Sequence, residues 1–150
     1  MATIDRTKNR FVEDKDTRVS VGLDFPLARV GDGNGYFATT KTTVESIKNN
    51  IRLLLQTHNG ERLFQPGLGM DLRKYLFEPF TEDISIQIEN NIVDVFQRWL
   101  PFVELNDIQM DRREDINSLA IKIFFNIKRT PEMTESVEVQ FTPITNDNGV

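Results

Sequence analysis

The hydrophobic pattern of this chain changes period at Pro101, and that switch limits the folds open to it. Before the proline, Ile84, Ile88, Ile92, Val95, Phe96 and Trp99 recur at helical spacing. Proline disfavours helical geometry at the residue before it, so the helix closes there. After it, Leu119, Ile121, Ile123, Phe125 and Ile127 alternate against Lys122, Asn126 and Lys128, the period of a half-buried strand. Phe124 breaks the polar side of that alternation and marks a covered or contacted spot.

The remaining elements follow from the same two periods. Val44, Ile47, Ile51, Leu54 and Leu55 share one face of an earlier helix, and Thr42-Thr43-Val44-Glu45 has capping-box spacing at its start. That helix ends near Thr57, before an Asn59-Gly60 turn. A shaped connector follows, in which glycines and Pro66 alternate with Leu63, Phe64 and Leu68. A short helix over Asp71–Phe77 is stopped by Glu78-Pro79, and the long helix begins at Thr81 or Glu82, where Glu82 and Asp83 suit the positive helix end. In the strand from Phe102 to Asp111, Val103 and Leu105 point inward, then Ile108 and Met110. This phase slip predicts a β-bulge. Arg112-Arg113-Glu114-Asp115 and Thr130-Pro131-Glu132-Met133 read as turns, and Val137, Val139 and Phe141 as the last strand. Short turns make the strands an antiparallel meander. Helices followed by strands give an α+β fold: two main helices and a short one on one face of a small sheet.

The amino-terminal region is less patterned. Residues 1–18 are polar; Val19, Val21, Leu23 and Phe25 alternate toward Pro26; Gly31-Asp32-Gly33-Asn34-Gly35 reads as a flexible loop before Tyr36 and Phe37. We therefore expect an extended arm or leader over 1–35, a single domain over 36–145 and a tail over 146–150. The arm is either a leader with a few anchors or a strand that pairs with another subunit.

Composition excludes several functions. The chain has 150 residues with a formal net charge of -5. That balance argues against a nucleic-acid binder, which needs a basic face. There is no cysteine, so disulfides and thiolate metal sites are excluded. No apolar run reaches the roughly 18 residues of a membrane span. Met1 to Arg10 is too polar for a signal peptide, which points to synthesis in the cytoplasm.

Catalytic chemistry finds little support. The only histidine, His58, has no cysteine or second histidine to work with. Glu61, Glu78 and Asp83 are the carboxylates around the connector, and a pair of them is the enzyme option, a glycosidase. The structural reading is stronger: Glu61 beside Arg62 pairs locally, and Glu78, Glu82 and Asp83 suit a helix amino terminus. No nucleophile motif, phosphate loop or metal spacing is present. We expect no catalytic residue, metal or cofactor.

Asn50 to Thr57, then Gly60-Glu61-Arg62, Pro66, Gly69, Leu72 and Leu76-Phe77-Glu78, resemble the baseplate wedge family of contractile phage tails. That family is also called lysozyme-like and has relatives in type VI secretion baseplates. The resemblance runs from about Ser46 to Phe141. It implies a structural, non-enzymatic subunit of the virion tail baseplate, made in the host cytoplasm. It implies contact with a dimer of larger wedge proteins near the tail tube, with no nucleic acid or membrane partner. It also implies a platform on which the sheath starts, with sheath arms joining the sheet as added strands. The alternatives are a muralytic glycosidase acting on cell-wall sugar chains and an adaptor elsewhere in a tail.

One departure stands out. The family carries Glu-Pro-Arg at the end of the long helix, and here those places hold Leu100-Pro101-Phe102. An apolar contact through Trp99, Leu100 and Phe102 is expected in place of a charged one. The candidate partner-binding residues are therefore Glu61, Arg62, Pro66, Trp99, Leu100, Pro101, Phe102 and Phe124.

Overall fold

The computed structural model describes residues 11, 14, 16, 18–30 and 36–143. The expected glycine loop at 31–35, most of the expected leader and the expected tail lie outside those residues. The chain divides into two units, residues 1–51 and 52–150.

In the first unit, strand β1 (Gly22–Leu23) pairs antiparallel with β2 (Thr39–Thr40). Asp24 N–H donates to Ala38 O at 2.9 Å, Ala38 N–H donates to Ala28 O at 2.9 Å, and Arg29 bridges Phe37, so the ribbon extends beyond its regular strands. The strand expected from Val19 onward is shorter: Val19 N–H donates to Asp16 O at 3.1 Å, and the regular strand begins only at Gly22. Helix α1 (Thr43–Gln56) starts as its capping residues require. The Thr42 hydroxyl accepts from Glu45 N–H at 3.3 Å, while the buried Asp14 carboxylate accepts from both Thr43 N–H and Thr43 Oγ1 at 2.8 Å. A carboxylate there also meets the positive end of the helix dipole. The ribbon lies so close to α1 that a Cβ on Gly22 would stand 2.7 Å from Ser46 Oγ. Asn49, buried on α1, donates to Leu23 O and to Asp24 Oδ1.

The second unit is organised by a meander, β3 (Val103–Arg113), β4 (Ser118–Ile127) and β5 (Thr130–Phe141), in the order β3-β4-β5. On the inner face of β4, Leu119, Ile121, Ile123, Phe125 and Ile127 are all at most 3% exposed. They stand opposite Arg112, Met110, Ile108, Leu105 and Val103 of β3. The phase slip is real: the β3 register shifts between Leu105 and Asp107, leaving Asn106 as the extra residue. Its amide donates to Asn126 Oδ1 at 2.9 Å and Thr134 Oγ1 at 3.4 Å.

Both expected turns move. Arg112 and Arg113 belong to β3; the reversal is the 3-10 turn Glu114–Ile116 followed by Asn117, whose φ of 46° places it in the left-handed region. Asparagine tolerates that conformation at low cost. Thr130 to Met133 belongs to β5, and the chain turns at Lys128-Arg129. Pro131 is tolerated because β5 is an edge strand, where a missing N–H breaks no ladder. Its carbonyl accepts from Asn126 Nδ2 at 3.0 Å.

Helix α2 (Glu82–Trp99) lies against β3 and buries Ile88, Ile92 and Phe96. The 3-10 helix Leu72–Phe77 lies against β5 and buries Leu72, Tyr75 and Leu76. The α+β class with helical segments on one sheet face is thus present. The expected short helix is 3-10 in form.

Candidate functional site

The connector between α1 and the 3-10 helix is a closed loop rather than a linker. At its base, Met70 N–H donates to Thr57 O at 2.8 Å. Gly69 has φ +107°, and a Cβ on it would lie 2.2 Å from that same Thr57 oxygen. Only glycine fits there. Asp71 Oδ1 accepts from Asn59 N–H at 3.2 Å and lies 3.3 Å from His58 Nδ1. Glu61 Oε2 accepts from His58 N–H at 2.9 Å. Gly60, at φ +86°, donates its N–H to Pro66 O at 2.8 Å across the loop. The carboxylate considered for acid chemistry is thereby a brace on the backbone.

Exposure along the loop was not evident from composition. Leu72 and Leu76 are buried, but Leu63 and Phe64 are more than nine-tenths exposed, and Phe77 is also largely exposed. Glu61, Arg62 and Pro66 share this exposed loop.

The other candidate residues fall at two further places. At the corner between α2 and β3, Leu100 is buried, Trp99 half-buried, and Pro101 and Phe102 exposed. Leu100 N–H donates to Phe96 O at 2.8 Å and Val103 N–H to Leu100 O at 2.9 Å, which fixes the corner. Lys128 N–H donates to Phe102 O at 3.0 Å, joining the corner to the β4–β5 turn. The Trp99 indole nitrogen is buried with no hydrogen-bond partner among the described residues. Phe124 is half-buried on the outer sheet face, opposite Asp107 and Ser136, with Lys122 Nζ 5.1 Å from its ring centroid.

Arg112 is a residue that sequence reasoning misplaced. From the end of β3 its Nη1 donates to Tyr75 O and Glu78 O and its Nη2 to Leu76 O at 3.1 Å, while its guanidinium lies 5.7 Å from the Phe80 ring centroid. The last carbonyls of a helix have no internal partner, and a guanidinium fork suits several at once. The available signal was phase: after the bulge, Ile108, Met110 and Arg112 all fall on the inner face.

A cleft of about 160 Å³ lies between the loop and α2, lined in part by Asn59, Asp71, Tyr75 and Asn91. A second, of about 140 Å³, lies on the outer sheet face by Asp111, Ala120 and Glu138. Both are below the roughly 300 Å³ at which ligand pockets begin. Among the described residues, no group of three His, Asp or Glu side chains is placed to hold a metal ion.

Residues 41–132 match the family described as baseplate wedge protein gp25. The chain belongs to the gp25 baseplate wedge family. It is 28% identical over 97 residues to the baseplate wedge protein gp25 of Enterobacteria phage T4, covering 65% of this chain and 74% of that one. Its fold is similar to that of a candidate tail lysozyme from Geobacter sulfurreducens, with a TM-score of 0.60 at 24% identity over 70% of this chain and 95% of that one. It is also similar to a chain of the anti-feeding prophage baseplate, with a TM-score of 0.54 at 20% identity over 83% and 86% of the two chains. At these identities the two structures share the fold alone. Membership makes this gp25-family chain a structural component of a contractile tail baseplate. The matched segment contains the closed loop, Arg112 and the α2–β3 corner.

Two substitutions test the framework of the site. Gly69→Ala is expected to destabilise the second unit by more than about 2 kcal/mol, because the new Cβ has no room beside Thr57; the urea midpoint reads this. Arg112→Met should cost about 2 kcal/mol through the stranded carbonyls. Arg112→Lys should recover less than half of that, since a point charge does not reproduce the fork. Equal stability of the Lys variant and wild type would remove the clamp from the account.

Proposed function

We propose that this gp25-family chain binds larger wedge subunits near the tail tube and provides the platform from which sheath assembly starts. The observation that best supports this is the small sheet with two long outer strands. Within the described residues β3 and β5, strands of 11 and 12 residues, each pair on one side only. Unpaired N–H and C=O groups along such an edge template an incoming extended chain. A sheath arm adding there would extend the ladder without remodelling the inner face, which is already buried by α2 and the 3-10 helix.

In this reading residues 36–145 form the wedge module and residues 1–35 its arm. The larger wedge subunits meet the α2–β3 corner, where Phe102 is exposed beside the buried Leu100. Apolar groups take the place of the family's charged pair, so docking there relies on burial more than on ion pairing and should be nearly insensitive to salt.

Two measurements test the reading. Backbone amides of an outer strand, β5 or β3, should exchange more slowly once sheath protein is added; unchanged exchange along both strands would rule out strand addition. Phe102→Ala should weaken assembly with the wedge subunits while leaving the melting temperature nearly unchanged, since the side chain is 42% exposed. Equal loss of both would make Phe102 a core residue.

A further inference from the structure

The closed loop contains a residue pair able to modify itself. Asn-Gly occurs at residues 34–35, 59–60 and 148–149, and of these Asn59-Gly60 falls among the described residues. In such a pair the deprotonated amide nitrogen of the glycine attacks Cγ of the asparagine side chain, unhindered because glycine has no Cβ. A new N–Cγ bond closes a succinimide, the Cγ–Nδ2 bond breaks, and ammonia leaves. Water then opens the ring at either carbonyl, giving aspartate or isoaspartate.

The electrophile is ready and the nucleophile is not. Asn59 is exposed, and its carboxamide has no hydrogen-bond partner among the described residues. The Gly60 nitrogen, by contrast, has its proton held by Pro66 O at 2.8 Å. The pair is also fixed on both sides: Asn59 N–H donates to Asp71 Oδ1 at 3.2 Å, and Glu61 N–H to His58 O at 3.2 Å. Asn59 and Gly60 are therefore the corners of a hydrogen-bonded turn, and the rotation that carries the nitrogen onto Cγ breaks it. The nearby carboxylates of Glu61 and Asp71 further disfavour the amide anion.

We infer that Asn59 is a latent deamidation site which the closed loop holds inert, so that loss of closure is recorded there covalently. Deamidation is slow beside loop motion, and its rate follows the fraction of chains in which the Gly60–Pro66 bond is open. The change runs one way. An aspartate product brings a third carboxylate to the neck beside Glu61 and Asp71, and an isoaspartate product adds a carbon to the main chain inside the turn. Neither restores the original closure.

The full-length chain provides the test. Wild type is kept folded and, in parallel, unfolded in guanidinium chloride at the same mildly alkaline pH, and the amide-to-acid mass change at residue 59 is followed by peptide mass spectrometry. The unfolded chain should convert at least about tenfold faster, the factor that one net hydrogen bond supplies. Equal rates overturn the lock, and no conversion in the unfolded chain overturns the site itself. Asp71→Ala, which frees Asn59 N–H, should move the folded rate toward the unfolded one, and an unchanged rate removes Asp71 from the lock. The wild-type comparison stands whether or not that variant folds. Asn59→Asp should speed amide exchange at Gly60 and Met70; exchange equal to wild type overturns the one-way loosening.

Discussion

Burial of one face of β4 is the constraint on which the second unit depends. Ile121, Ile123 and Phe125 are fully buried, flanked on the same face by Leu119 and Ile127. Burying a side chain of this size contributes about 1.5–3 kcal/mol, so the stripe outweighs any single surface bond. Because strand side chains alternate with a period of two, a slip of one residue would turn the whole stripe to solvent. Register is therefore fixed, and the bulge at Asn106 is what lets β3 keep its apolar residues inward along its full length. Helix α2 and the 3-10 helix then cover a face whose position is already set.

This explains which parts of the fold were legible in the sequence. The periods of α2, β3 and β4 each record one buried face, and the bulge was visible as a slip in that record. The start of α1 was legible because Thr42 and Glu45 act through local geometry. The turns were not. Arg112 reads as a turn residue because it is charged, yet it is held inward by carbonyls more than thirty residues away, which no local pattern displays. Pro131 reads as a breaker, and it is tolerated only because of its place at the sheet edge. At the candidate site, the spacing of Gly60, Pro66 and Gly69 was legible as a family signature. The exposure of Leu63 and Phe64 was not, since apolar residues at a bend read equally well as core.

The closed loop also changes the meaning of its polar residues. His58 and Glu61 are of residue types that serve acid–base chemistry, and the fold brings Asp71 beside His58. In the fold, both carboxylates take backbone N–H donors and hold the loop shut. A carboxylate satisfied by main-chain amides is a construction element, and the family to which the chain belongs is a structural one.

Arg112 carries a longer consequence. Its hydrogen bonds go to main-chain oxygens of Tyr75, Leu76 and Glu78, which every amino acid at those positions would provide. The placement of this segment is thus indifferent to the identity of its outward side chains, such as Lys74 and Phe77. Those outward side chains can therefore be exchanged without removing any of the hydrogen bonds that seat the segment.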